Sequence, residues 1–111
     1  MKSVFQKIID GELPCDKVFE NERIIAFKDI APAAPVHILI VSKKPLENIS
    51  QIEPEDIALV GEIMLVANQL AKEFHIEDGY RLITNNGSKA GQTVFHLHFH
   101  LLGGTHLGAM A

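Results

Sequence analysis

Three of the six histidines in this chain, His96, His98 and His100, alternate with apolar residues in the stretch Gly91-Gln92-Thr93-Val94-Phe95-His96-Leu97-His98-Phe99-His100-Leu101-Leu102-Gly103-Gly104. A helix would scatter positions i, i+2 and i+4 around its circumference, whereas a strand puts all three on one face. The spacing therefore predicts a histidine row, with Phe95, Leu97, Phe99 and Leu101 pointing into a core behind it. Adjacent imidazoles would stand roughly 7 Å apart, two strand rises. Burying such a row without partners is costly, so it is expected to line a cleft.

Three chemistries fit such a row. It can be a half-exposed strand that merely carries histidine, although strict period two in a chain with so few histidines argues against chance. It can be a metal site, since His-x-His on a strand offers two neutral imidazole ligands to zinc. Further ligands are scarce: the only cysteine is Cys15, residues 80–111 contain no Asp or Glu, and His37 is the obvious extra candidate. It can also hold a nucleophile. A neutral imidazole with a pKa near 6.5 attacks phosphorus at neutral pH and leaves again, so it can pass a nucleotidyl or phosphoryl group to water in two steps. That chemistry needs donors around the phosphate. Asn85-Asn86-Gly87-Ser88-Lys89-Ala90-Gly91-Gln92-Thr93, just upstream, supplies amides, hydroxyls, a lysine and glycine backbone that can approach an anion.

His96-Leu97-His98-Phe99-His100-Leu101-Leu102 resembles the signature of the histidine triad superfamily: three histidines, each followed by an apolar residue, then one more. Gly91-Gln92-Thr93-Val94, Gly103-Gly104, Asp29-Ile30-Ala31-Pro32, Ala34-Pro35-Val36-His37 and Val4-Phe5-Gln6-Lys7-Ile8-Ile9 extend the likeness over nearly the whole chain. Within the superfamily the chain is most similar to the Hint branch, the purine nucleoside phosphoramidases. The fragile-histidine-triad branch usually opens its motif with glutamine where this chain has His96.

The resemblance implies hydrolysis at the α-phosphorus of purine nucleoside phosphoramidates through a nucleotidyl-histidine, with no metal or other cofactor. The alternatives are a dinucleoside polyphosphate hydrolase, a metal-dependent hydrolase and a purine-nucleotide-binding module with vestigial catalysis. His98 would be the nucleophile, with its other nitrogen held by a main-chain carbonyl. His100 would hold phosphoryl oxygens and pass a proton to the leaving amine, and His96 and His37 would support the network. Asn85, Gly91, Gln92, Thr93 and the Val94 amide would cradle the phosphate, although Gln92 can instead fix the loop. Asp29 would take the ribose hydroxyls, with Ile30 against base or sugar. Phe5, Ile8, Leu13, Phe27 and Leu39 would wall the purine pocket. Eukaryotic Hint relatives end in an aromatic-bearing tail, and this chain, which has no Trp, ends differently.

The elements that must position these residues are legible in order. Ser3 can cap a short helix through Asp10, ended by Gly11. Strands are expected at 17–20 and 23–27 around a tight turn, at 36–41 after the Pro32 and Pro35 connector, and at 79–84. Pro54, Glu55 and Asp56 suit a helix start. Beyond them Ile57, Val60, Ile63, Met64, Ala67, Leu70, Ala71 and Phe74 recur at helical steps, widened by Leu59 and Val66. The predicted fold is α+β, an antiparallel sheet of about five strands with one long and one short helix, forming one domain over 1–111 with its core at about 4–104. So apolar a helix on a small protein suggests a partner surface. The resemblance places a homodimer on the helix from Pro54 to Phe74 and an adjoining strand, joining two sheets into one, with Val66 at the contact.

The 111 residues carry a net charge of −4 and no basic stripe, which argues against nucleic acid or an anionic membrane as partner. A single cysteine permits no internal disulfide, and no apolar run reaches the length of a signal peptide or membrane span. The expected location is cytoplasmic.

Overall fold

The alternating segments become five strands in the computed structural model, which describes residues 1–111. They are β1 (Lys17–Glu20), β2 (Ile24–Lys28), β3 (Val36–Ser42), β4 (Tyr80–Ile83) and β5 (His98–Gly103). All neighbouring pairs are antiparallel, in the order β1-β2-β3-β5-β4. The β1–β2 turn closes because Asn21 Oδ1 accepts the Arg23 and Ile24 N–H groups at 2.9 and 2.8 Å, the local bond that makes asparagine a turn residue. Two helices complete the α+β fold, α1 (Val4–Ile9) and α2 (Ile57–Glu73). Ser3 caps α1 by accepting the Gln6 N–H at 3.0 Å. A single 3-10 turn at Pro54–Asp56 leads into α2.

The pleat sorts the strand residues between two cores. Ile24, Ala26, Ile38, Ile40, Phe99 and Leu101 face α2 and pack with Ile63, Val66, Ala67 and Leu70. Ile25, Phe27, Leu39 and Val41 face the other way, with Phe5 of α1 against them. The end of β5 runs tight under the chain that leaves α2: a Cβ on Gly103 would lie 2.8 Å from Ile76 Cδ1 and 3.0 Å from its Cβ, so any side chain there would force Ile76 to shift. No helix is long and apolar enough to cross a membrane.

Three expectations need correction. Ile57 is 61% exposed rather than part of the core stripe, as the first residue of α2 directly after the 3-10 turn. Val66 is only 4% exposed and belongs to the chain's own core, so it cannot serve a contact between copies; Leu65, at 68%, faces out instead. Phe95 is also exposed, because the strand begins three residues later and nothing fixes residue 95 to the inward parity.

Candidate active site

Register builds the site. On the sheet face opposite α2, Phe27 pairs with Leu39 and Leu39 with His100, while Ile25 pairs with Val41 and Val41 with His98. The result is an apolar floor ending in two imidazoles. Helix α1 lies over it, and the Phe5 ring meets His98 edge-on at 4.8 Å and Phe27 at 5.5 Å between centroids. Between helix and sheet lies a cavity of about 280 Å³. Phe5, Ile8, Phe27, Leu39, Asp29, Ile30, Thr93, Val94, His98 and His100 all line it.

The hydrogen bonds fix where the ring protons sit. His98 Nδ1 lies 2.6 Å from the His96 carbonyl oxygen. A carbonyl only accepts, so Nδ1 carries the proton and Nε2 keeps a free lone pair. In His37, Nδ1 accepts the Ala33 N–H at 3.0 Å, so the neutral ring is protonated at Nε2. That Nε2–H donates to His100 Nδ1 at 2.9 Å, which leaves His100 protonated at its own Nε2. His37 reaches His100 diagonally, since its direct cross-strand partner is Leu102. Asp29 Oδ2 stands 3.4 Å from His37 Nε2, and Oδ1 accepts the Ala31 N–H at 2.8 Å.

Of the expected row only His98 and His100 stand side by side. Their ring centroids are 5.1 Å apart rather than roughly two strand rises, because the rings tilt toward each other. His96 lies before the strand and is buried away from the cavity. Its Nε2–H donates to the Ser42 carbonyl at 2.6 Å, and its Nδ1 faces the Ser3 hydroxyl at 3.3 Å. Gln92 is likewise buried and turned from the cavity. Its amide donates to the Glu47 and Val94 carbonyls and accepts from Asn48 Nδ2 and the Gly87 N–H, so both ends pin the loop. Asn85 and Gly91 lie beside each other in that loop, outside the cavity lining. Leu13 is exposed and outside it too. Val4, Pro14, Cys15 and Lys28 line the cavity unforeseen. Val4 adjoins Phe5, and Lys28 follows Phe27, so both lay within reach of sequence reasoning; nothing local marks Pro14 or Cys15.

Asp29, His37 and His100 offer three ligand atoms within 4.8 Å of one another. The donor set suits a transition metal in kind. The hydrogen bonds do not suit it: the Ala33 N–H places the His37 proton on the nitrogen that would have to ligate, so a cation would have to displace it.

Burial holds the imidazoles of His96 and His98 below the usual histidine range. His100 is pushed down to about 4, first by burial and then by repulsion from His98 and His37. Folding thus favours neutral rings. Below about pH 6.5 the unfolded chain binds protons that the folded chain refuses, so stability is lost as pH falls from there through the depressed values. After discounting for the rings' remaining solvent contact, the loss between pH 7 and 5 should be of the order of 1–2 kcal/mol, or roughly 5–10 °C in Tm. Thermal melts followed by circular dichroism would show it; a Tm that holds or rises toward pH 5 would contradict it.

Known proteins share this architecture. A family profile described as HIT domain matches residues 10–107. A HIT-like protein of Chlamydia pneumoniae is 53% identical over 109 residues, covering 98% of this chain and 99% of that one. The solved structure of a HIT family hydrolase from Clostridium thermocellum superposes with a TM-score of 0.94 at 50% identity, over 98% of this chain and 96% of that one. A histidine triad nucleotide-binding protein from Candida albicans superposes with a TM-score of 0.83 at 32% identity, over 99% and 84%.

Proposed function

This chain belongs to the HIT domain family, and from that membership we propose that it hydrolyses purine nucleoside phosphoramidates at phosphorus through a nucleotidyl-His98 intermediate. The observation that carries the reading is the bare Nε2 of His98, its ring locked by the His96 carbonyl, beside an apolar cavity closed by a carboxylate. The hydrolase from Clostridium thermocellum and the nucleotide-binding protein from Candida albicans support the class of activity.

The purine lies against Phe5, Ile8, Phe27 and Leu39, with Ile30, fully exposed, free to fold over base or sugar. Asp29 accepts the ribose hydroxyls. His98 Nε2 attacks phosphorus, and the bond to the leaving amine breaks. The His100 Nε2–H and the Thr93–Val94 turn hold the phosphoryl oxygens in a partly dry site, where fixed donors act strongly. The Ala33 N–H opposes an extra proton on the His37–His100 pair. His100 therefore serves as a donor rather than a proton source for the amine. As the P–N bond breaks the amine takes a proton from solvent at the open mouth of the cavity, and in the second step a water adds its hydroxyl to phosphorus and returns a proton to solvent, so one water is split overall. Attack of that oxygen breaks the P–Nε2 bond, releases nucleoside monophosphate and restores the His98 lone pair.

The test is incubation of purified protein, with chelator present, with adenosine 5′-phosphoramidate of a simple amine and separately with a dinucleoside polyphosphate. Release of adenosine monophosphate from the first, with an acid-labile, base-stable nucleotide adduct on the protein, is the expected result. Faster cleavage of the second would move the reading to polyphosphates. Activity only on adding zinc would make it a metal enzyme, and binding without turnover of either would leave a nucleotide-binding module.

We infer further that two copies associate along α2 and β4. The outer edge of β4 has no strand partner, and such an edge is a pairing template. The Tyr80 hydroxyl donates to Asn68 Oδ1 at 2.5 Å, which brings that edge beside the exposed side of α2 where Leu65 stands. Covering both would join two sheets into one.

A further inference from the structure

We propose that the Ser3 hydroxyl is a positioning group for His98, acting through His96; the claim rests on the nucleophilic role given to His98 above. The His96 Nε2–H is committed to the Ser42 carbonyl, so the ring's lone pair at Nδ1 must accept. The group facing it is Ser3 Oγ at 3.3 Å. That oxygen already accepts the Gln6 N–H at 3.0 Å, so its lone pair points to the helix and its proton to His96. One hydroxyl thus starts α1 and completes the hydrogen bonding of a buried imidazole.

The consequence reaches the nucleophile by a short path. The His96 ring is tied at both nitrogens, to the end of β3 through Ser42 and to the start of α1 through Ser3. The His96 carbonyl is the acceptor that holds the His98 proton on Nδ1. Helix α1 touches His98 directly as well, through Phe5. Without the hydroxyl the buried Nδ1 has no donor, and a buried acceptor left unpaired favours any motion that rehydrates it. Because the ring stays anchored to the Ser42 carbonyl at Nε2, relief comes from a shift of the whole residue, which moves the His96 carbonyl. The His98 Nδ1–H bond then loosens, and Nε2 loses its aim at phosphorus.

Capping and positioning can be separated. Glycine caps a helix nearly as well as serine but has no hydroxyl, and threonine keeps both functions. Ser3→Gly is expected to keep α1 and the fold, to melt several degrees lower because the buried Nδ1 loses its donor, and to lose about tenfold in kcat, since small misplacements of a nucleophile cost that much or more. KM should change by less than about twofold, because the purine and ribose contacts remain. Ser3→Thr is expected to restore kcat. In nitrogen-15 spectra of the imidazoles, Ser3→Gly should move the His96 Nδ1 resonance toward that of an unbonded nitrogen and broaden the His98 Nδ1–H signal. Ser3→Thr should match the wild type. Unchanged His98 signals in Ser3→Gly overturn the proposal, as does an equal kcat loss in Ser3→Gly and Ser3→Thr. If the wild-type protein turns over no phosphoramidate, the spectra alone decide on Ser3, and it is the proposed reaction that fails.

Discussion

His98→Ala should lower phosphoramidate turnover by at least about 10³-fold, because removing a covalent nucleophile removes the two-step route itself. The same variant should bind adenosine monophosphate within about threefold of wild type, a difference below 1 kcal/mol. The asymmetry follows from the geometry. Phe5 contacts the His98 ring edge-on, so truncation trims one edge of the pocket but leaves Phe27, Leu39 and Asp29 in place. The His98 ring also holds no other side chain by a hydrogen bond: its single hydrogen bond runs to the His96 backbone. The loss should therefore appear in kcat, and the nucleotide adduct should vanish from mass spectra of the quenched reaction. If His98→Ala keeps more than about a tenth of the wild-type rate, the nucleophile lies elsewhere. His100 and His37 would be the next candidates, but their lone pairs are taken, His100 Nδ1 by the His37 Nε2–H and His37 Nδ1 by the Ala33 N–H.

That His98 and His100 share one face was legible because the pleat has period two and both lie inside β5. Phe27 and Leu39 come to the pocket from the family resemblance rather than from periodicity, and antiparallel register brings them into line with His100. His96 escaped the periodicity. The Leu97 N–H is claimed from outside the sheet: it donates to the Leu46 carbonyl at 2.7 Å. The strand therefore starts at His98, and no periodicity reports a crossing by a distant loop. Gln92 was ambiguous for a related reason, since an amide can serve a phosphate or a loop equally well until its partners are known. Pro14 and Cys15 reach the cavity only because the segment between α1 and β1 folds back over it, which local sequence does not encode.

Two adjacent substitutions on α2 should have opposite consequences, and together they test both the helix phase and the proposed interface. Val66→Glu places a carboxylate among Ile63, Ala67 and Leu70 with no cation in that core. An unpaired buried charge costs several kcal/mol, a large part of the roughly 5–15 kcal/mol that holds a small domain folded. The variant should be unfolded or aggregated at 37 °C by circular dichroism. Leu65→Glu puts the same carboxylate on a residue 68% exposed, where the chain itself should tolerate it within about 0.5 kcal/mol. If copies associate along α2 and β4, the new charge falls at the contact, and sedimentation should shift from dimer to monomer with the melt of the fold little changed. A wild-type protein that already sediments as a monomer, or a Leu65→Glu protein that keeps the dimer mass, removes this interface. A folded Val66→Glu protein would mean that α2 presents a different face to the sheet. The floor beneath His98 would then need another account, because Phe99 and Leu101, the inward neighbours of the two site histidines, pack in the same cluster as Val66.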